Sequence, residues 1–167
     1  MFGNDYDNVI DKVPLYKNTI MQRMLEDDDL MKLLYYQVAD APILDNVPKK
    51  ARDEMIFKQI FPERVATEII SEQKSIICVE MSLAETSRRR ERTMDAYITV
   101  YIFTHLDISR TVTGSRKDLI ASRVNKVINR TKGPWLGELA VDGMIPFVTQ
   151  YNLFGGYELT FSIKDFR

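Results

Sequence analysis

The stretch AYITVYIFTH, Ala96 to His105, decides how this chain folds. Tyr97 to Thr104 reads as a β-strand, because successive side chains of an extended backbone point to opposite faces. Ile98, Val100 and Ile102 fall on one face; Tyr97, Tyr101 and Phe103 fall on the other. Both faces are apolar, so the strand is expected inside a sheet and covered on both sides. Ile76 to Leu83, rich in Ile and Val, is a second strand. Between them lies Ala84 to Met94, polar and basic. An antiparallel pair follows, with a long basic hairpin tip expected as an exposed loop over residues 84–94.

Downstream, residues 116–131 carry the best helix signal. Ser115 and Asp118 form a capping-box pattern, in which each side chain can satisfy a free first-turn N–H group. Leu119, Ile120, Val124, Val127 and Ile128 make one apolar stripe. Arg130 and Lys132 suit the negative end of the helix dipole, and Gly133-Pro134 end the helix. Trp135 to Ala140 and Met144 to Tyr151 are strand candidates, with Asp142-Gly143 as their turn. Gly155-Gly156 marks another turn. The last strand then alternates, with Tyr157, Leu159, Phe161 and Ile163 inward and Glu158, Thr160, Ser162 and Lys164 outward.

Upstream the pattern is helical. Residues 1–17 are aperiodic and expected as an extended N-terminal arm. A helix is expected to start at Thr19, with Gln22 completing a capping box; Ile20, Met21, Met24 and Leu25 form its face. The Asp27-Asp28-Asp29 run breaks the pattern and can cap a second helix. Leu30, Leu33, Leu34 and Val38 supply that helix's apolar face, and Ala41-Pro42 stop it. Residues 42–53 read as loop and Met55 to Phe61 as a helical turn; residues 63–74 carry no clear period. The order is helix, helix, strand, strand, helix, strand, strand, strand. It predicts an α+β fold, a mostly antiparallel sheet with helices packed on one face.

Bulk properties are consistent with one domain spanning residues 1–167. A chain of 167 residues buries roughly 70% of the surface its unfolded form exposes. Net charge is −1, without the basic excess of most nucleic-acid binders. One cysteine excludes an intrachain disulfide. The acidic, polar start predicts no signal peptide, and the apolar runs are strand-sized, so the chain is expected to be soluble and made in the cytoplasm.

No catalytic set is visible. His105 has Asp107 and Ser109 nearby in sequence, but adjacency in sequence does not build a triad. Cys78 sits in an apolar strand, where a thiol packs as a small hydrophobe. One His and one Cys cannot make a zinc site. Glu26-Asp27-Asp28-Asp29 lacks the alternating ligands and turn glycine of a calcium loop and reads as a helix corner. Gly155-Gly156 precedes a strand, so it is no phosphate loop. What stands out is Arg88, Arg89, Arg90 and Arg92. Such a cluster is either a solvated loop or a docking arm for an acidic surface or nucleic acid. With no aromatic residue in the loop to stack on a base, an acidic protein surface is the better partner.

The order of elements resembles the tail-terminator and head-to-tail joining (neck) proteins of tailed bacteriophages. The resemblance rests on MLEDDDLMKLL (Met24 to Leu34), AYITVYIFTH (Ala96 to His105), SRKDLIASRVNKVI (Ser115 to Ile128) and GGYELTFSIKDF (Gly155 to Phe166). It implies a structural subunit of a virion ring, sixfold in expectation, with no cofactor and no enzymatic activity. Its partners would be other copies of itself and the neighbouring neck or tail-tube proteins. No membrane is implied, and DNA passes only as cargo. A ring needs head-to-tail contacts between different faces of each copy, for which the basic tip and the N-terminal arm are candidates. Two other classes stay open: an α+β enzyme or ligand-binding domain with an unrecognised site, and a small nucleic-acid-associated protein using the arginine loop.

Overall fold

The computed structural model describes residues 7–65, 70–88, 91–130, 139–149 and 153–163. Its centre is the strand β3 (Glu91–His105), which pairs antiparallel with β2 (Ser75–Arg88) on one side and with β7 (Phe154–Ile163) on the other. A two-residue strand, β1 (Ile60–Phe61), lies parallel to β2 at one edge, and β6 (Leu139–Val148) pairs antiparallel with β7 at the other. The sheet order is β1-β2-β3-β7-β6. The fold is α+β with a mostly antiparallel sheet. A separate short pair, β4 (Arg110–Thr111) and β5 (Gly114–Ser115), leads into the last helix.

Three helices cover one face. In α1 (Asp7–Leu25), Tyr16, Ile20 and Met24 are buried at four-residue spacing beside Met21 and Leu25. Helix α2 (Asp28–Tyr35) buries Leu30, Met31, Leu33 and Leu34, and α4 (Arg116–Arg130) buries Ile120, Ala121, Val124, Val127 and Ile128. These side chains meet Ile77, Val79, Ile98, Val100, Ile102, Leu159, Phe161 and Ile163 in one core. The opposite face of β3 is covered too, as its two apolar faces require. There Phe103 joins Ile76, Cys78 and Phe154, with Phe61, Val65, Ile70, Tyr101 and Phe147 around them. Phe103 and Phe147 meet edge to face, 5.1 Å apart, and the Arg64 guanidinium lies 4.6 Å from the centre of the Tyr101 ring.

Several elements differ from the sequence expectation. The 1–17 arm is helical from Asp7 onward, because Tyr16 extends the apolar stripe one turn below Ile20. Thr19 is therefore no cap; its hydroxyl donates to the Leu15 carbonyl within the helix (2.8 Å). The expected 84–94 loop is strand over residues 84–88 and 91–94: pairing runs on through Ala84↔Asp95 to Arg88↔Glu91, where Thr86 and Thr93 favour extended backbone. Asp142-Gly143 is no turn: β6 is continuous, with a bulge between Val141 and Gly143. Gly155 and Gly156 lie inside β7, where a methyl on Gly156 would overlap the Ile102 carbonyl oxygen of β3. A short helix, α3 (Lys49–Asp53), stands within the expected 42–53 loop, Met55 to Phe61 leads into β1, and Val38 is exposed beyond the end of α2.

Candidate functional site

Catalytic candidates come first, because their surroundings decide whether chemistry is available. The His105 ring stands edge-on to Phe154, 5.3 Å away, and its Nδ1 accepts the Asp107 N–H at 3.2 Å. The Asp107 carboxylate accepts from the Gln73 amide at 2.7 Å. His105 thus braces a short helical turn, Leu106–Ile108, and no serine hydroxyl is bonded to it among the described residues. Cys78 is fully buried, and burial pushes its thiol from near 9 up to about 11. A thiol held neutral is a poor nucleophile. No group of His, Cys, Asp and Glu side chains among the described residues could hold a metal ion.

The acidic run is a joint. The Asp27 carboxylate accepts the Leu30 N–H at 2.9 Å, capping α2, and takes the forked guanidinium of Arg123 from α4. Arg123 also reaches Asp29 at 3.3 Å. Asp28 is paired with Arg52 and accepts from Asn46 at 3.0 Å. A cation is therefore already present at this corner, supplied by arginines.

Sequence reasoning missed the most heavily engaged polar group. Arg116, the first residue of α4, has no exposed surface. Its Nε donates to the Ile108 carbonyl at 2.7 Å, its Nη1 to Leu33 at 2.7 Å and Tyr36 at 2.8 Å, and its Nη2 to Val38 at 2.6 Å. Leu33, Tyr36 and Val38 lie at and beyond the end of α2, where helix carbonyls have no partner of their own. The guanidinium fork satisfies them and complements the negative end of the helix dipole. Burial lowers the Arg116 pKa. Nothing in a Ser-Arg-Lys-Asp run marks its first basic residue as interior, which is why the periodicity could not show it.

The surface offers two features suited to binding. The first is β6, an edge strand. Val141, Met144, Ile145 and Val148 are 49%, 50%, 60% and 70% exposed. Proteins commonly protect such edges with charge, short length, a bulge or proline. Here the strand has ten residues; its one charged residue, Asp142, sits at the bulge and accepts from Ser162 at 3.0 Å, and Pro146 has no N–H to offer an added strand, so what the edge presents is chiefly its apolar side chains. The second is a cleft of about 570 Å³ at one end of the sheet, lined by Leu106, Val148 and Gly155 with Ser115 and the cationic Arg110 and Lys117. At the opposite edge, Phe57 is 67% exposed on a left-handed backbone (φ 60°). A bulky residue in that conformation carries strain of order 1–3 kcal/mol, which the Phe57 N–H bond to the Ile60 carbonyl (2.9 Å) offsets in part.

Of the arginine cluster, Arg88 and Arg92 are fixed in backbone register opposite Glu91 and Ser87. Arg89, Arg90 and the side chains of Arg88 and Arg92 lie outside the described residues. Among the described residues no helix is long and apolar enough to cross a membrane. No curated protein matches the sequence. A family model does: it is named YomW and aligns with residues 27–163, from the cap of α2 to the last residue of β7. That span takes in α2, α4 and every strand of the sheet, and the chain accordingly belongs to the phage-derived YomW family.

Proposed function

We propose that this chain is a structural subunit of a phage neck or tail-terminator ring, joining the tail to the head connector. The observation that carries the proposal is the β6 edge, which has no outer strand among the described residues. A long apolar strand edge on a phage-family chain is a surface for pairing with protein. The histidine, the thiol and the acidic corner are all committed to packing, capping or ion pairs, which supports assembly over catalysis. In this reading the partners are further copies of the chain and the adjoining neck or tail-tube proteins. The arginine tip reaches an acidic surface on one of them. The protein resides in the virion after synthesis in the host cytoplasm, and DNA passes it as cargo.

The test is to induce the phage, purify particles, and search them for this protein by mass spectrometry and electron microscopy. Its presence at the neck in ring stoichiometry supports the proposal. Its absence from intact particles overturns it. The cleft favours a second reading, a ligand-binding domain for an anionic group held by Arg110 and Lys117. A small molecule that copurifies in that cleft supports the second reading instead.

A further inference from the structure

Among the described residues, both ends of the sheet lack a further strand, and in complementary ways. β6 has no partner on its outer side among the described residues. At the other end β1 pairs with β2 only at Ile77 and Cys78, so the outer edge of β2 from Val79 to Arg88 is unpaired among the described residues. The two open stretches match in length. Directions match as well. β2, β3, β7 and β6 alternate, so β6 of one copy laid on β2 of the next, sheets facing the same way, continues the antiparallel order.

That placement brings two further features together. The residues Ile60, Ile77, Ile102, Tyr157 and Pro146 form one row across the sheet, and Ser75, Thr104, Gly155 and Val148 form the next such row on the same face. The Phe57 turn, bonded to Ile60, and the cleft at Val148 therefore lie at the same end of the sheet, on opposite flanks. When β6 runs antiparallel along the next copy's β2, its Val148 end arrives beside that copy's β1 and Phe57.

The structure assigns the cleft beside Val148 to the Phe57 turn of a second copy of this chain. The inference rests on the ring reading above and names its contact. Phe57 is an exposed aromatic held outward by a strained backbone, as an anchor residue would be. Leu106, Val148 and Gly155 offer it apolar walls, and the volume accommodates an aromatic ring. Charge does not select the contact: Arg110 and Lys117 line the cleft, while exposed Phe57 stands between Asp53 and Glu54 on one side and Lys58, 3.8 Å from Glu54, on the other. The contact is head-to-tail, the kind that builds rings, because each copy gives a knob on one flank and a cleft on the other.

The experiment uses the full chain, in solution by light scattering and in purified particles by cross-linking. Phe57→Ser and Val148→Asp should each weaken self-association by about tenfold or more while leaving the melting temperature near wild type. Paired Phe57→Cys and Val148→Cys should form a disulfide between copies, with Cys78 buried and silent. An assembling wild type whose mass is unchanged by Phe57→Ser and Val148→Asp overturns this contact but leaves the ring reading standing. A wild type that is monomeric both in solution and in particles overturns both.

Discussion

Arg123 and Asp27 form a forked ion pair across the helix layer, and the Asp27 carboxylate that receives it also caps α2. One side chain thus fixes a helix start and docks a second helix on it. Asp27 raises the Arg123 pKa through the hydrogen bond and its charge, with Asp29 adding to it. Replacing Asp27 by Ala should remove about 2–4 kcal/mol, the sum of a lost cap and lost charge-assisted bonds. Arg123→Ala should cost about 1–2 kcal/mol, because the guanidinium is partly wet. A double-mutant cycle read by urea denaturation should show coupling of about 1 kcal/mol or more. Additive losses would show that the pair is ornamental.

Arg116 should be the most sensitive polar position. Arg116→Met leaves four carbonyls without their donor and should cost about 3–5 kcal/mol. Arg116→Lys keeps the charge and loses the fork, so it should fall between the two. Denaturation midpoints in urea check both, and a lysine variant equal to wild type would mean that charge alone suffices.

Cys78 gives a pH dependence with a definite sign. Its thiol titrates near 9 when unfolded and at about 11 when folded. The unfolded chain releases its proton first, so this contribution to stability is complete below about pH 9 and is lost as pH rises toward 11. At about pH 8 a thiol reagent should react in urea and scarcely at all with the native protein. Rapid native labelling would place the sulfur at the surface.

The two strand glycines should behave oppositely. Gly156→Ala forces a methyl into the Ile102 carbonyl and should separate β7 from β3, costing several kcal/mol or preventing folding. Gly143 has open space around its α-carbon, so Gly143→Ala should be nearly neutral. Thermal melts of the two variants check this.

At the hairpin tip, replacing Arg88, Arg89, Arg90 and Arg92 by Ala should leave the melting temperature unchanged and weaken assembly with partner proteins. A lower melting temperature with normal assembly would give the arginines a role in the fold instead.

How far the sequence was readable follows from what each signal depends on. The β3 alternation, the α4 stripe and the inward set Leu159, Phe161 and Ile163 depend on local period, and each is where the pattern placed it. The α1 start was misplaced because Pro14 reads as a helix breaker and the apolar Ile10 and Leu15 near buried Tyr16 are exposed, which blurs the period, and only the sheet beneath reveals which residue faces inward. The Asp142 bulge and the Asp-Gly turn draw on the same residues, so composition cannot separate them. The cleft and the Phe57 knob are invisible in sequence. They depend on which strands become edges, and that is set by long-range pairing.

The Arg116 clasp also bears on how the chain comes off the ribosome. The end of α2 is closed by a donor that lies 78 to 83 residues further along. Until that arginine has emerged, a nascent chain carries α2 with its last carbonyls facing solvent and its place on the sheet unsecured. Helix formation near the N-terminus is then provisional, and the domain commits to its shape only once the β2–β3 ribbon has been made and α4 has begun.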